Sequence, residues 1–362
     1  MNQGASEGLK PTHSQTQIWV GQRLHPESPL YNMAFSFIFP KELRPELFCE
    51  AWRRVVDRSD VLRTRFEEHE GAAVLKIDTD SCPTEVLELK ESNDPEREFR
   101  SWCRQRCTRP FPIGGVLVDS VLYPLGDGRT GWYLNQHHLI TDAWSTLLLF
   151  RQMGAEYETL LGGDHSEVST LAAYYPTVAA LEARSAATET ALDHWTSRQS
   201  RPGRSIPFYG RSVDPTSTAS TRLTLELDEN RSRALDRLCQ QDGFLSLSED
   251  LSRFALFATL LGSWLHRVSG STDLGFDAPV AGRPTADAKR ALGLFIEMFP
   301  FAATVDPDDT FRSLGARCLE EAKHFLRHAL PGMSTPSSAA ASNIVLNFFP
   351  AAFGEFAGVP VE

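Results

Sequence analysis

Apolar residues recur along the chain at two spacings, and the spacing decides which secondary structure each stretch predicts. Between 45 and 58 the apolar positions follow one another in steps of three and four, which places them on one face of an amphipathic helix. Pro45 stands in its first turn, where proline is tolerated. Similar patterns predict helices over 95–107, from Thr141 or Asp142 to about 160, and over 179–195, 229–241, 248–268 and 310–328. The helix over 248–268 has Ser248 as its expected N-cap and Gly270 as its stop.

Shorter runs rich in β-branched and aromatic residues predict strands. The clearest pair, 116–125 and 132–138, is separated by Gly126-Asp127-Gly128-Arg129, a composition typical of a hairpin turn. Further strands are predicted over 31–39, 61–66, 73–77, 222–227, 274–276, 294–305 and 344–348. Because strands and helices are intermixed in both halves, the fold class is α+β, or an α/β sandwich with mixed sheets.

Length and composition predict two lobes. A chain of 362 residues exceeds the usual size of one domain, and the segment 198–221 is rich in Arg, Pro, Ser and Gly without periodicity. We therefore expect an N-terminal lobe over 12–197, an inter-lobe linker over 198–221 and a C-terminal lobe over 222–362. The Ser/Ala/Pro-rich run 334–342 is expected to form a loop before the last strand.

Charge and cysteine usage narrow the class of partner. Lys and Arg number 36 against 47 Asp and Glu, a net charge of −11, whereas nucleic-acid binders usually carry the opposite sign. The apolar runs are shorter than the roughly 20 residues that span a membrane, and the first ten residues lack the apolar core of a signal peptide. Six scattered cysteines indicate reduced thiols. These features predict a cytoplasmic protein that contacts neither nucleic acid nor membrane.

The stretch from Gln136 to Ser145 is the one place where a titratable base, a carboxylate and a predicted helix start coincide. In an extended strand adjacent side chains point to opposite faces, so only one of His137 and His138 can face a given cavity. A histidine there can accept a proton from an attacking amine or alcohol, or hold that nucleophile in place. Asp142 lies beyond the turn, so its expected role is to lock the loop through an arginine and local amides.

This stretch resembles the His-His-x-x-x-Asp-Gly motif of the condensation-domain superfamily of nonribosomal peptide synthetases and related acyltransferases. Three further blocks resemble that family, in the same order and at similar separations: Ser14-Gln15-Thr16-Gln17-Ile18-Trp19, 58–66 and 292–300. The resemblance covers residues 12 to about 356, nearly the whole chain.

The resemblance implies two chloramphenicol-acetyltransferase-like lobes that meet in a V, with the histidine motif at the floor of a tunnel. An acyl thioester on the phosphopantetheine of an acyl or peptidyl carrier protein enters from one side, and a small amine or aminoacyl acceptor enters from the other. By the same match, His138 is the catalytic or positioning histidine, His137 its structural neighbour and Asp142 the ion-pairing carboxylate.

Three more residues are implied to give structural or oxyanion support: Ala143, Arg63 and Ser145. Arg63 is the expected ion-pair partner of Asp142. No metal, nucleotide or other bound cofactor is expected, because the thioester already supplies the driving force for acyl transfer.

The chain departs from the family pattern in three respects. The motif's glycine is Ala143, which tolerates fewer backbone conformations and adds a methyl group to the tunnel floor. Glu297 stands where the family has Asn, which predicts a charge near the lobe interface. The sequence also ends soon after the strand predicted at 344–348, so the second lobe is expected either to be truncated or to close in an unusual way.

The predicted function is acyl transfer from a carrier-bound thioester to an amine, which forms an amide in secondary-metabolite biosynthesis. The protein is expected to be free-standing or the first domain of a longer chain. The run 24–32 resembles starter-type members, which take a fatty or other carboxylic acyl group. Two alternatives stay open: an alcohol acceptor that gives an ester, and a non-catalytic domain that recruits a carrier protein or a tailoring enzyme.

Other motif-like stretches have simpler interpretations. The run 161–166 resembles a carrier-protein attachment site, but His165 breaks its spacing, so a loop is predicted. His324 and His328 lie one helical turn apart, with Glu320 a turn earlier; this spacing can bind zinc, yet a solvated helix face is favoured. Cys103 and Cys107 are expected to be core or surface thiols. Core packing is expected for Trp19, Trp52 and Trp132, with tunnel walls as the alternative.

Overall fold

The computed structural model describes residues 9–79, 82–88, 92–163, 170–199, 220–334, 343–349 and 352–361. The helices are α1 (His13–Leu24), α2 (Pro45–Asp57), α3 (Pro95–Arg106), α4 (Ala143–Leu160), α5 (Tyr174–Ala186), α6 (Glu189–Gln199), α7 (Glu229–Cys239), α8 (Glu249–Ser269), α9 (Ala286–Arg290) and α10 (Phe311–His328). The strands are β1 (Asn32–Phe39), β2 (Thr64–His69), β3 (Ala72–Ile77), β4 (Glu85–Val86), β5 (Val118–Pro124), β6 (Thr130–His137), β7 (Asp273–Val280), β8 (Glu297–Thr304), β9 (Glu355–Phe356) and β10 (Val359–Pro360).

The chain divides into two compact units. Unit 1 comprises Met1–Leu181, Arg283–Phe295 and Ala351–Glu362, and unit 2 comprises Glu182–Gly282 and Ile296–Pro350. Unit 1 thus takes in two segments from beyond the predicted N-terminal lobe. Most of the predicted linker at 198–221 lies outside the described residues, and the predicted lobe boundaries stay a prediction.

A four-stranded sheet in the order β1-β6-β5-β4 forms the frame of unit 1. β6, one of its two inner strands, pairs antiparallel with β1 on one side and with β5 on the other. The hairpin turn predicted at 126–129 connects β5 to β6, as the sequence indicated. All eight residues of β6 are buried, which makes this strand a rigid base for whatever follows its last residue.

α2 shows how apolar spacing becomes packing. Pro45 occupies the first turn of the helix, as predicted, and the buried residues all belong to the predicted apolar face: Phe48, Ala51, Trp52, Val55 and Val56. Full burial of a large apolar side chain contributes about 1.5–3 kcal/mol to stability, so this face fixes the helix against the core.

Aromatic side chains from distant parts of the chain form the core of unit 1. The rings of Phe37, Trp132 and Phe150 pack with centroids 4.7–6.1 Å apart. Phe356, from the last described segment, packs against Trp132 and Phe150 at 6.0 and 5.4 Å. The three tryptophans predicted to pack in the core are buried: Trp19, Trp52 and Trp132.

Unit 2 is built on the antiparallel pair β7 and β8, which runs from Asp273 opposite Thr304 to Val280 opposite Glu297. Phe276, Phe301 and Phe325 form its core with ring centroids 4.8 and 5.8 Å apart. α8 begins and ends as predicted, since the Ser248 side chain accepts a hydrogen bond from the Leu251 amide and Gly270 ends the helix with φ +72°.

Some predicted elements are wrong in detail. The alternating run 222–227 forms no strand, and Leu223 and Leu225 are 92% and 80% exposed. Alternation marks a segment that can pair, but a strand also needs a neighbour, and no described strand lies beside this one. The helix predicted at 179–195 is two helices, α5 and α6, and the strand predicted at 344–348 is a single bridge between Val345 and Asp277.

Candidate active site

The two histidines lie at the end of β6, in unit 1. β6 ends at His137, the chain makes a 3-10 turn over His138–Ile140, and α4 starts at Ala143 with Asp142 as its N-cap. The backbone N–H of His138 donates to the Tyr31 carbonyl at 2.8 Å, so the turn stays attached to the chain that leads into β1. We refer to residues 138–140 as the histidine turn.

His137 is a buried, neutral hydrogen-bonding residue. Its side chain is 1% exposed, its Nδ1 accepts from the Leu139 amide at 3.1 Å, and its Nε2 donates to Gln22 Oε1 at 3.1 Å. Burial, helped by the neighbouring His138, lowers the pKa of His137 from 6.5 to about 3. The ring is therefore uncharged at neutral pH.

Acid is expected to destabilise the protein through His137. The unfolded chain binds a proton on this ring near pH 6.5, whereas the folded chain does so only near pH 3, so the free energy of unfolding falls as pH falls through that window. The slope from this one group is at most about 1.4 kcal/mol per pH unit. Denaturant titrations from pH 7.5 to 3.5 measure it, with His137→Gln as the non-titrating control; equal slopes for the two proteins would contradict the burial of a neutral ring.

His138 is half-buried, and one of its two ring nitrogens makes a hydrogen bond. Nδ1 donates to the Thr141 carbonyl at 2.7 Å, which fixes the proton of the neutral ring on that atom. Nε2 therefore carries the lone pair, and no described residue hydrogen bonds to it. The two neighbouring histidines thus hold opposite tautomers, and only His138 presents a free basic nitrogen.

Asp142 ties α4 to a distant segment of unit 1. Its Oδ1 accepts from the Ser145 amide at 2.8 Å and its Oδ2 accepts from the Phe295 amide at 3.0 Å. Both oxygens also accept from Arg283 Nη2 at 3.0 Å, and the side chains of Asp142 and Arg283 are each 2% exposed. Asp142 therefore bonds to an arginine and a local amide, as expected, and also to the distant amide of Phe295, and its ion pair is fully buried.

The predicted pairing of Arg63 with Asp142 is wrong. The Arg63 guanidinium donates instead to the carbonyls of Ser59, at 3.2 Å, and Asp78, at 2.8 Å. The reason is local: Arg63 ends a short 3-10 turn just before β2, so its side chain closes that turn against the end of β3. Its predicted supporting role stays a prediction.

Arg283 is the functional residue that the sequence analysis missed. Its Nη1 donates to the carbonyls of Ala288 and Ala291 at 2.5 and 2.7 Å, and its guanidinium carbon lies 4.1 Å from the centroid of the Phe295 ring. Arg283 lies between Gly282 and Pro284, shortly after β7. Nothing in that local pattern names a partner 141 residues away.

Ser145 completes the connection. Its hydroxyl donates to the Gly293 carbonyl at 2.6 Å, while it accepts from the Gly293 amide at 2.9 Å and from Arg283 Nη2 at 2.6 Å. We call Asp142, Ser145, Arg283 and Gly293 the clasp. Ala143 is the first residue of α4 and has no positive φ, so the backbone here does not need the glycine of the family motif.

Replacing Gly293 by alanine is expected to destabilise unit 1. Gly293 has φ +146°, and a Cβ on it would overlap the ring of Tyr174, whose hydroxyl donates to the Leu294 carbonyl at 2.6 Å. Overpacking of this kind costs typically about 1–3 kcal/mol. Gly128→Ala is the matched control, because Gly128 also has positive φ (+82°) but has open space around it. Equal losses of unfolding free energy in the two variants would show that the Tyr174 contact is unimportant.

Glu297, His324 and His328 lie outside the histidine turn and the clasp. Glu297 is buried, and its two oxygens accept from the amides of Gly332 at 2.5 Å and Ser334 at 3.0 Å. His328 Nδ1 donates to the His324 carbonyl at 2.8 Å, and His324 is exposed. Over the described ranges no three His, Cys, Asp or Glu side chains are grouped to hold a metal ion. The carrier-like run 161–166 and the loop predicted at 334–342 lie partly outside those ranges.

Among the described residues, none of the helices combines the length and apolar content needed to cross a bilayer.

All six cysteines lie among the described residues, and all six are free thiols. Burial raises the pKa of the Cys82 thiol to about 11 and that of Cys103 to about 12. These two thiols are therefore protonated at neutral pH and are poor nucleophiles.

Comparison with known proteins places this geometry in a family. The family model described as Condensation domain matches residues 8–334. A linear gramicidin synthase protein from Brevibacillus parabrevis is 27% identical over 334 residues, and phosphinothricin tripeptide synthetase PhsB from Streptomyces viridochromogenes is 27% identical over 331 residues. These alignments cover 87% and 88% of this chain but only 4% and 27% of the two relatives, which are much longer proteins.

Solved structures agree on the fold. The first condensation domain of the calcium-dependent antibiotic synthetase, in complex with a substrate analogue, matches with a TM-score of 0.83 at 22% identity, over 99% of this chain and 84% of that one. A starter condensation domain of rhizomide synthetase, in complex with C8-CoA and Leu-SNAC, matches with a TM-score of 0.79 at 19% identity, over 98% of this chain and 82% of that one. The expected family and mixed α/β fold class are thereby confirmed. The chain belongs to the condensation-domain family, the acyltransferases that form amide bonds in nonribosomal peptide synthesis.

Proposed function

We propose that this chain transfers an acyl group from a phosphopantetheine thioester on a carrier protein to an amine, with His138 as the group that meets the attacking nitrogen. The observation that carries the proposal is the contact of 2.7 Å between His138 Nδ1 and the Thr141 carbonyl. Because Nδ1 donates to the Thr141 carbonyl, Nε2 offers a lone pair that no described residue uses. An imidazole nitrogen with a free lone pair can accept a proton from an attacking amine.

The reaction balances with the thioester and the amine alone. The amine nitrogen attacks the thioester carbon, a C–N bond forms and the C–S bond breaks. His138 Nε2 takes the proton that the nitrogen loses and returns it to the departing thiolate, so that an amide and a free phosphopantetheine thiol result. Asp142 contacts neither substrate in this scheme, because its oxygens are occupied by Arg283 and two amides.

A medium-chain acyl donor is the first to test. The starter domain of rhizomide synthetase was solved with C8-CoA and Leu-SNAC, and the run 24–32 of this chain resembles starter-type members. We propose the same substrate classes here: an acyl group on a carrier or on CoA, and an aminoacyl acceptor. Cytoplasmic location and a carrier-protein partner belong to the same proposal.

Intact-protein mass spectrometry of an octanoyl-loaded carrier tests the proposal. The carrier is incubated with this protein and Leu-SNAC, and the products are the unloaded carrier and octanoyl-Leu-SNAC. C8-CoA replaces the carrier in a second arm, and a hydroxy-acid thioester replaces Leu-SNAC in a third. Amide formation supports the proposal. If only the ester forms, the acceptor is an alcohol and not an amine. If the carrier binds and keeps its acyl group, the chain is a recruiting domain and not an enzyme.

A further inference from the structure

Two glutamines on α1 bond to the histidine turn and to the residue before it: Gln15 to Leu139 and Gln22 to His137. Gln15 and Gln22 are seven residues apart, two helical turns, so they lie on the same side of the helix. Both are buried, with at most 2% of the side chain exposed. A buried carboxamide that makes no hydrogen bonds costs free energy, so the partners of these two side chains define what they do.

Gln22 determines which nitrogen of His137 carries the proton. Its Nε2 donates to the carbonyls of His25, Pro26 and Ser28 at 2.9–3.3 Å, and three carbonyls around one atom require it to be the NH₂ group. Oε1 must then face His137, where it accepts from Nε2 at 3.1 Å. With the proton on Nε2, the Nδ1 of His137 is free to accept from the Leu139 amide.

Gln15 binds the carbonyl group of Leu139, the residue whose amide is bound by His137. Its Nε2 donates to the Leu139 carbonyl at 3.0 Å, while its Oε1 accepts from the Thr12 amide at 3.1 Å. Leu139 is the central residue of the histidine turn, and its side chain is fully buried. Its N–H is thus fixed by Gln22 through His137, and its C=O is fixed directly by Gln15.

We propose that Gln15 and Gln22 are positioning residues, which fix the histidine turn from α1 and thereby set the direction of His138 Nε2. The inference rests on the proposed function, because that function gives the direction of Nε2 its importance. Neither glutamine touches a reacting atom. Loss of Gln15 frees the Leu139 carbonyl, and loss of Gln22 frees the His137 ring that accepts from the Leu139 amide. A displacement of about 1 Å at a reacting group can cost on the order of 10²-fold in rate.

The test compares three glutamine-to-methionine variants of the full chain. Gln15→Met and Gln22→Met keep the side-chain length and remove the hydrogen bonds, and Gln17→Met is the matched control on the same helix, where the Gln17 amide contacts His13 rather than the turn. We expect kcat to fall about 10- to 100-fold in the first two variants while KM for the octanoyl carrier stays within twofold. Rates within twofold of the control would overturn the proposal.

A second readout does not depend on activity. In ¹⁵N-histidine-labelled protein the ring shifts should report a proton on Nε2 of His137 and on Nδ1 of His138 in the unaltered chain and in Gln17→Met. Gln22→Met should give a tautomer mixture at His137, and both test variants should exchange the Leu139 amide faster. Unchanged ring signals and exchange would refute the positioning role even if the chain transferred no acyl group.

A fourth variant covers the case in which Gln22→Met does not fold. If Gln22→Met does not fold, Gln22→Glu retains an oxygen for His137 but loses the three donations to His25, Pro26 and Ser28. We expect its kcat to fall at least tenfold, with a pH–rate profile different from that of the unaltered chain. A normal rate and an unchanged profile would count against Gln22 as a positioning residue.

Discussion

Replacing His138 by alanine is expected to lower amide formation by about 10²- to 10⁴-fold, the range for loss of a general base. The reason is geometric: within the described part of the chain, Nε2 of this ring is the one nitrogen of the histidine pair without a hydrogen-bond partner. If the ring chiefly orients the amine, the loss is smaller. The measurement is the rate of octanoyl transfer under single-turnover conditions, together with carrier binding, which should stay unchanged.

His138→Asn separates the base from the turn. An asparagine can still donate to the Thr141 carbonyl, so it preserves the histidine turn, but it offers no nitrogen lone pair. It should therefore be as impaired as the alanine variant and unfold at the same temperature as the unaltered protein. His137→Ala should act mainly through stability, because that ring is buried and bonded on both nitrogens. A His138→Ala protein that transfers acyl groups at the normal rate would remove the proposed mechanism and leave the fold unaffected.

Replacing Asp142 by alanine is expected to cost about 3–5 kcal/mol of unfolding free energy, the range for breaking a buried ion pair. The charge on Arg283 would remain in an environment where both partners are 2% exposed, and the amides of Ser145 and Phe295 would lose their acceptor. The histidine turn should lose order as well, since Asp142 starts the helix that follows it. Equilibrium denaturation measures the loss.

Asp94→Ala is the matched control for the Asp142 experiment. Asp94 also caps a helix of unit 1, accepting from the Arg97 amide at 3.2 Å, but it lies at the surface and holds no buried arginine. It should cost only about 0.5–2 kcal/mol, the usual range for an N-cap. An Asp142→Ala protein no less stable than Asp94→Ala, with the surroundings of His138 unchanged, would contradict the role assigned to the clasp.

Local sequence signals predicted the parts of the fold that depend on local interactions. α2 follows from its apolar spacing and Pro45, the β5–β6 hairpin from its glycine-rich turn, and the ends of α8 from Ser248 and Gly270. The histidine pair was placed at a strand-to-helix junction for the same reason. In each case residues within a few positions of each other determine the conformation.

Features that depend on a distant partner were not predictable in this way. Arg63 was assigned to Asp142 because of its motif, whereas the actual partner, Arg283, lies in a segment brought close only by the folded chain. The run 222–227 has the alternation of a strand but no described neighbour to pair with. Gln15 and Gln22 show a regular spacing of seven, yet nothing in the sequence indicates that they face Leu139 and His137.

The clasp also dictates when the buried ion pair at the start of α4 can form during synthesis. Asp142 leaves the ribosome 141 residues before Arg283 does, a delay of roughly 7 to 28 s at the usual 5–20 residues per second. The hairpin of β5 and β6 is local and can form as soon as it is synthesised. The Asp142 carboxylate, however, has no counter-charge until 283–295 has been synthesised. Phe356 joins the aromatic core later still. Contacts of such long range slow folding. The local β5–β6 hairpin is therefore synthesised completely before the residues that close the clasp are available.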